Sequence, residues 1–244
     1  MCYPRGVTDA FDFYPCLVDG KPASIYVNLG FEDEKPAGAD VRYAIAIAMR
    51  DAGPYGAGSA DEADVLNAFE EAAIAALARH GLVYAGRVRT QGIWETTFYG
   101  PVGQLAHLEA LGAPGPRRVQ VRQDADPGWR YYHELLLPDA ERKQWMDDRR
   151  LVQILEEQGD RLTTPRPVDH WAYFPSAAQR DAFVERARAL GFTAQAEDDE
   201  RDGARATRTD PIELDHIHDV VMLLVDAAEA CGGEYDGWET SIER

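Results

Sequence analysis

Four polar residues near the C-terminus have the types of a metal site but not its spacing. His216 and His218 stand between Asp215 and Asp219 in a segment with helical periodicity. Positions two apart on a helix point roughly 200° away from each other, whereas helical ligands of one ion are spaced i and i+4. The pattern favours solvated polar side chains, so we predict no metal site here.

Other residue types suited to catalysis occur without their usual partners. His133 and Glu134 begin like a zinc-protease motif, but Leu137 stands where the second histidine belongs. The three cysteines are widely spaced, which fits neither a disulfide framework nor paired metal ligands. We therefore predict no catalytic residues and no cofactor. An enzyme or small-ligand binder, with its site in the N-terminal domain or at the domain junction, remains the alternative.

A glycine-rich loop, residues 53–59, runs into a predicted helix, and exposed amides at a helix start bind anions. The loop lacks the Gly-Lys-Ser/Thr ending of a P-loop and the glycine spacing of a dinucleotide site. Ser59 and Glu62 instead form the S-x-x-E pattern of a capping box, which satisfies the first helical amides from within the chain. We interpret this loop as structural.

The charge balance disfavours direct binding to nucleic acid. The chain carries 43 acidic and 25 basic residues, a formal charge of -18. A phosphate backbone is bound largely through Lys and Arg, so this field repels it. The same field attracts a basic protein segment, although acidity also serves solubility alone.

Length and hydropathy indicate a two-domain protein outside the membrane. The 244 residues exceed a usual single domain, and no apolar run approaches the roughly 20 residues of a membrane helix. The first residues lack the apolar segment of a secretion signal, so we expect a cytoplasmic location. We predict an N-terminal α+β domain over residues 1–137, a helical connector over 138–165 and a second domain over 166–244. The oligomeric state stays open.

Both halves show the same order of predicted elements: strand, helix, strand, strand, helix, strand. In the first half a hairpin with an Asp19-Gly20 turn precedes this order, and residues 129–137 are predicted to be extended. In the second half the apolar stripe over residues 214–231 predicts an amphipathic helix. We therefore predict an α+β protein of two tandem ferredoxin-like (βαββαβ) sandwiches, the first with an extra N-terminal hairpin.

The last predicted strand carries the candidate partner-binding residues, which are Glu234, Tyr235, Asp236, Trp238 and Glu239. In a regular strand Glu234, Asp236 and Trp238 share one face, unless Asp236-Gly237 forms a bulge and resets the alternation. Aromatic rings flanked by carboxylates suit contact with a basic partner. The alternative is that Trp238 closes the core while the acids stay in water.

This C-terminal run resembles the end of the ribonuclease E inhibitor family, regulator of ribonuclease activity B. The similarity spans residues 151–244 and rests above all on Glu-Tyr-Asp-Gly-Trp over 234–238, with weaker matches over 155–160 and 189–192. The N-terminal half resembles a domain family of unknown function that is often joined to such a domain. There the matching stretches are residues 20–22, 84–88, 92 and 98–99.

The resemblance implies an α+β sandwich that binds ribonuclease E, damps its activity and has no catalytic residues of its own. We therefore expect a non-catalytic, acidic protein-binding regulator that docks on a basic segment of a protein partner, for which a ribonuclease is the candidate. No direct nucleic-acid or membrane partner is expected.

Overall fold

The computed structural model describes residues 10–197 and 202–244. The sequence predicts a charged turn over residues 198–203, and the first four of these lie outside the described residues. The chain divides into two compact units, Met1–Asp139 and Ala140–Arg244. Each unit has one antiparallel sheet and helices of its own, which confirms the α+β class. Among the described residues, no helix has the length and apolar content needed to span a bilayer.

The described residues of the first unit, 10–139, form six strands and two α-helices. The strands are β1 (Phe11–Val18), β2 (Lys21–Asn28), β3 (Val41–Ala48), β4 (Val83–Thr90), β5 (Ile93–Gly100) and β6 (Val119–Ala125). The helices are α1 (Ala60–Leu77) and α2 (Leu105–Glu109). The sheet order is β1-β2-β4-β5-β3-β6. The predicted β1–β2 hairpin is confirmed, with Asp19 and Gly20 both at positive φ as a tight two-residue turn requires.

The two faces of the first sheet are covered differently. On one face α1 buries Leu66 and Leu77 against Tyr43, Ile45 and Ile47 of the central strand β3. These side chains alternate along β3, since successive strand residues point to opposite faces. The other face lies under residues 126–137. The Tyr14 hydroxyl of β1 donates to the Leu136 carbonyl at 3.0 Å, and the Tyr132 hydroxyl donates to the Asn28 carbonyl of β2 at 2.7 Å.

The prediction that residues 129–137 are extended was wrong. Tyr132–Leu136 form a short π-helix. The Asp126 carboxylate accepts hydrogen bonds from the backbone N–H groups of Arg130 and Tyr131, which caps the start of the turn. Trp129 and Tyr132 are fully buried against the sheet. Aromatic runs favour an extended strand, but here the burial of the two rings decides the conformation. This packing depends on the tertiary structure, so strand propensity along the sequence does not predict it.

Outside residues 198–201, the second unit has three α-helices and four strands. They are α3 (Ala140–Glu157), β7 (Arg166–Tyr173), α4 (Ala177–Ala189), β8 (Thr193–Ala196), β9 (Gly203–Asp210), α5 (Leu214–Glu229) and β10 (Glu234–Thr240). The sheet order is β10-β7-β9-β8. The helix α3 comes from the segment predicted as a connector, and by its contacts it belongs to this unit.

The predicted apolar stripe of α5 is confirmed as the centre of the second core. Ile217, Val221, Leu224 and Ala228 are all buried, and they pack with inward residues of the sheet such as Val168. Full burial of each large side chain contributes about 1.5–3 kcal/mol. The helices occupy one face of this sheet, because β7 alternates between buried residues and the partly exposed Asp169, Trp171 and Tyr173.

Candidate functional site

The last strand, β10, contains a β-bulge at Asp236-Gly237, where the sequence analysis left open a change in the side-chain alternation. Tyr235 pairs with Ala172 and Gly237 pairs with Trp171, so Asp236 is the extra residue. Gly237 has a φ of 129°, which favours glycine. Because of the bulge, Tyr235 and Trp238 both point inward, beside Ala172 and His170 of β7.

Trp238 is anchored in the core by a buried carboxylate. Its side chain is only 7% exposed, and its indole N–H donates to Oδ1 of Asp148 on α3 at 3.0 Å. The other oxygen of Asp148 lies 2.8 Å from Nδ1 of His218 on α5, and Gln144 donates to Oδ1 at 3.0 Å. Asp148 is fully buried. Three elements therefore meet at one carboxylate.

The charge state of Asp148 is set by opposing effects. Burial raises the pKa of Asp148, and the hydrogen bonds from His218, Trp238 and Gln144 work in the other direction. A buried carboxylate that holds its partners by two or more bonds fixes their orientation. We call Asp148, His218 and Trp238 the Asp148 cluster.

Tyr235 has a separate buried partner. Its hydroxyl lies 2.8 Å from Nδ1 of His170, which is 1% exposed. Burial lowers the pKa of His170 to about 4, and burial also raises the pKa of Tyr235 well above its usual value. Both groups are therefore neutral at pH 7. Nε2 of His170 has no hydrogen-bond partner within the described part of the chain, and the ring stands edge-on to Phe192.

The opposite face of the second sheet carries the acids. Glu234 pairs with Tyr173 and Glu239 pairs with Asp169, so these side chains share one face with Trp171. We call the set of Asp169, Trp171, Tyr173, Glu234 and Glu239 the open face. Glu234, Asp236 and Glu239, the end-strand carboxylates, are exposed to solvent, whereas Asp169 and the two aromatic residues are half-buried.

Arg205 is a cation on this face, and it is already engaged. Arg205 of β9 is 3.1 Å from Glu197 and 3.9 Å from Asp169, and its guanidinium stands over the Trp171 ring at 5.7 Å. Thr207 donates a hydrogen bond to Asp169. Arg205 thus shows that a guanidinium can bind on this face between the Trp171 ring and a carboxylate.

The structure separates the five sequence-predicted residues into two groups. Tyr235 and Trp238 are core residues, whereas Glu234, Asp236 and Glu239 are the solvent-exposed carboxylates of the strand. Sequence reasoning missed Asp148 and His170 as their partners. Asp148 has one signal, since it is four residues before Val152 on the buried side of α3, where an unpaired carboxylate would be costly.

The two histidines of the suspected metal segment have different partners. His216 Nε2 is 2.8 Å from Asp210, whereas His218 faces Asp148. Within residues 10–197 and 202–244, no group of three or more potential ligands is placed to hold a metal ion.

Two family models match the chain, one in each unit. Residues 9–137, more than half of the chain, match the family model described as Family of unknown function (DUF695). The chain belongs to the DUF695 family. Residues 145–240 match the family model described as Regulator of ribonuclease activity B. A search of curated proteins found no match to the chain.

Both resemblances stated from the sequence are thereby confirmed. The regulator match begins within α3 and ends with β10, so it includes all three residues of the Asp148 cluster and the end-strand carboxylates. This half of the DUF695 protein is thus similar to a family of regulators of ribonuclease activity, and the DUF695 match itself names no activity.

In the DUF695 unit, the glycine-rich loop uses its polar groups within the chain. Gly58 N–H donates to the Ala52 carbonyl and Gly56 accepts from Gly92, both over 2.8–2.9 Å. Ser59 accepts from the Glu62 amide as predicted for a cap. Glu62 itself binds Arg117 at 2.9 Å rather than completing the reciprocal capping box.

The DUF695 unit also has a shallow depression of about 320 Å³ beside the π-helix. Arg42 lies in it under the Tyr131 ring, and its guanidinium is bound to Glu95 at 2.7 Å and Asp124 at 3.2 Å. Glu95 also accepts from the Tyr131 hydroxyl. The charged groups of this depression are therefore engaged with one another.

Proposed function

We propose that the chain is a non-catalytic regulator of a ribonuclease E-type endoribonuclease that binds a basic segment of the enzyme on the open face and the end-strand carboxylates. The regulator match over residues 145–240 carries this proposal. The expected place of action is the cytoplasm, with a protein and not RNA as the direct partner.

Charge and shape of the open face support a cationic peptide as the ligand. Three exposed carboxylates lie along one strand, next to two half-buried aromatic rings. Lys or Arg side chains of a partner can pair with the acids and stack on the rings. The net charge of -18 accelerates the encounter with such a segment at low salt.

Tyr235 and Trp238 have a supporting role in this proposal. They are inward residues, so their contribution is to hold the backbone of β10 and the bulge in place. Trp238→Ala would remove a buried ring and cost about 3–5 kcal/mol of stability. Loss of binding in that variant would report unfolding, and the carboxylates are the better target.

We also propose that each unit is a ferredoxin-like sandwich, and that the open face belongs to the second one. In support, both units have the order strand, helix, strand, strand, helix, strand, and in both the first strand of that order lies between the third and the fourth. The β1–β2 hairpin extends the first sheet beyond β4.

A direct test removes the three charges without changing side-chain size. In Glu234→Gln/Asp236→Asn/Glu239→Gln we expect binding to the purified ribonuclease to weaken about tenfold or more, because each exposed ion pair contributes up to about 1 kcal/mol. The matched control, Glu156→Gln/Glu157→Gln/Asp219→Asn, removes three exposed acids from α3 and α5. Affinity is measured by calorimetry, together with RNA cleavage in the presence of the chain.

Salt dependence distinguishes a docking surface from a general charge effect. Binding should weaken steeply from low to moderate salt in wild type and less steeply in the end-strand variant. If the control variant lost as much affinity as the end-strand variant, the open face would not be the site. If the wild-type chain neither bound the ribonuclease nor slowed its cleavage, the proposed function would fail.

A further inference from the structure

Among the described residues, the half-buried Arg89 of the first unit has no carboxylate partner for its charge. Arg89 lies on β4, and its one hydrogen bond to the described residues runs from Nη2 to the Ser24 hydroxyl at 3.3 Å. Within residues 10–197 and 202–244, no carboxylate oxygen approaches its guanidinium to within 4.0 Å. Its Nε is buried and has no partner in the same part of the chain.

The surroundings of Arg89 make this charge costly. Burial and repulsion from Arg87 lower the pKa of Arg89. Glu70, which attracts the Arg89 charge, is engaged by Arg87 at 3.0 Å and by the Tyr84 hydroxyl and the Trp94 indole. A partly desolvated cation without a counter-ion is rare, and one use for it is to bind an anion.

An open apolar surface lies beside Arg89 on the same face of the sheet. Ser24 pairs with Arg89 on one side and with Pro15 on the other, so the three residues form a row across β1, β2 and β4. Pro15 itself is exposed, and Leu17 flanks this row on β1 with 65% of its surface exposed. The Trp94 ring forms the end of the row, 5.4 Å from the Arg89 guanidinium.

We propose that Arg89 and Ser24 bind the carboxylate of a small organic acid whose apolar part lies on Pro15 and Leu17. A guanidinium accommodates a carboxylate through paired N–H donors, and the Ser24 hydroxyl adds a further donor. Adjacent strands are about 4.8 Å apart, so a tail of a few carbons spans the distance from Arg89 to β1.

A monoanion fits this site better than a phosphate dianion. Arg87 is already neutralised by Glu70, which leaves one uncompensated positive charge. The surrounding protein carries a formal charge of -18, which penalises a second negative charge on the ligand. The site is independent of the proposed regulatory function, because it uses only residues of the first unit.

The test uses 3-phenylpropionate and its neutral amide, 3-phenylpropanamide, titrated into the full chain by calorimetry. We expect the acid to bind about tenfold or more tightly than the amide, since the charged hydrogen bonds exist only with the acid. Inorganic phosphate should bind more weakly than the acid. Equal binding of acid and amide, no binding of the acid, or tighter binding of phosphate would each overturn the proposal.

Substitution of single arginines tests whether Arg89 forms the carboxylate site. Arg89→Gln should weaken binding of 3-phenylpropionate about tenfold or more, whereas Arg118→Gln, which removes an exposed arginine near β6, should leave it unchanged. Arg89→Gln should also unfold at the same or a higher temperature than wild type, because an unpaired charge is removed. Unchanged affinity in Arg89→Gln would contradict the assignment, and a lower unfolding temperature together with unchanged affinity would make Arg89 a structural residue.

Discussion

At the scale of single residues, the second unit contains buried polar pairs whose members are far apart in the sequence. His170 and Tyr235 are 65 positions apart, yet their side chains share one hydrogen bond in the core. Asp148 and Trp238 are 90 positions apart. Spacing along the chain carries no information about such pairs, so sequence reasoning found the aromatic residues and missed their partners.

The buried state of His170 predicts a pH-dependent stability. The pKa of its imidazole is about 4 in the folded protein against an ordinary 6.5. The unfolded chain therefore takes up the proton first as the pH falls, and stability decreases between about pH 6.5 and pH 4. The expected loss is about 3 kcal/mol over this window.

Urea unfolding at pH 7 and pH 4.5 measures this loss, with His170→Phe/Tyr235→Phe as the comparison. The double variant replaces both members of the buried pair by apolar rings of similar shape. Its stability should fall less than that of wild type between the two pH values. An equal fall in both proteins would show that other groups control the acid sensitivity.

At the scale of elements, the fold predicted from sequence is accurate where periodicity is strong and wrong where tertiary burial decides. The stripe on α5 and the Asp19-Gly20 turn were sufficient to place a helix and a hairpin. Residues 132–136 form a π-helix instead of a strand because Trp129 and Tyr132 are buried together against the sheet. The bulge at Asp236 was left open, since its position depends on pairing with β7.

The Asp148 cluster predicts how α3 is held to the second sheet. Asp148→Ala would leave the Trp238 indole N–H and His218 without their buried acceptor, which should cost about 3–5 kcal/mol. The matched control is Asp147→Ala on the exposed side of α3, where the carboxylate pairs with Arg150 and is worth at most about 0.5 kcal/mol.

A double-mutant cycle with Trp238→Phe isolates the indole hydrogen bond. Phe keeps the ring in the core and removes only the donor, so the coupling to Asp148→Ala should be about 1–3 kcal/mol. The free energies come from urea unfolding followed by circular dichroism. The role assigned to Asp148 would be excluded if its loss cost no more than the loss of Asp147.

At the scale of the whole molecule, the charge balance follows directly from the sequence, whereas the domain bounds read from it, 1–137, 138–165 and 166–244, remain predictions. The sequence predicts a helix over residues 139–158 within the connector, because Pro165-Arg166-Pro167 after it cannot continue a helix and marks the entry to a new element. In the structure this helix contributes Val152 to the second core, and its Asp148 is hydrogen-bonded to residues of α5 and β10.

This organisation predicts different behaviour for two C-terminal fragments. Residues 140–244 should fold alone with cooperative unfolding, because they include the whole second unit. Residues 166–244 lack α3, which leaves the Trp238 indole and His218 without Asp148 and uncovers the core next to Val152. They also lack Asp160, which is fully buried and binds Arg166 at 2.7 Å. An isolated buried cation of this kind costs about 3–5 kcal/mol, a large share of the stability of a small domain.

Circular dichroism and amide NMR spectra of both fragments test whether the second folding unit begins at residue 140 or at residue 166. We expect dispersed spectra and a sharp urea transition for residues 140–244, and poorly dispersed spectra for residues 166–244. Arg166→Met in the shorter fragment removes the unpaired charge and should recover part of the lost stability. A shorter fragment as stable as the longer one would place α3 outside the folding unit, and residues 138–165 would then be a connector, as the proline-rich junction suggests.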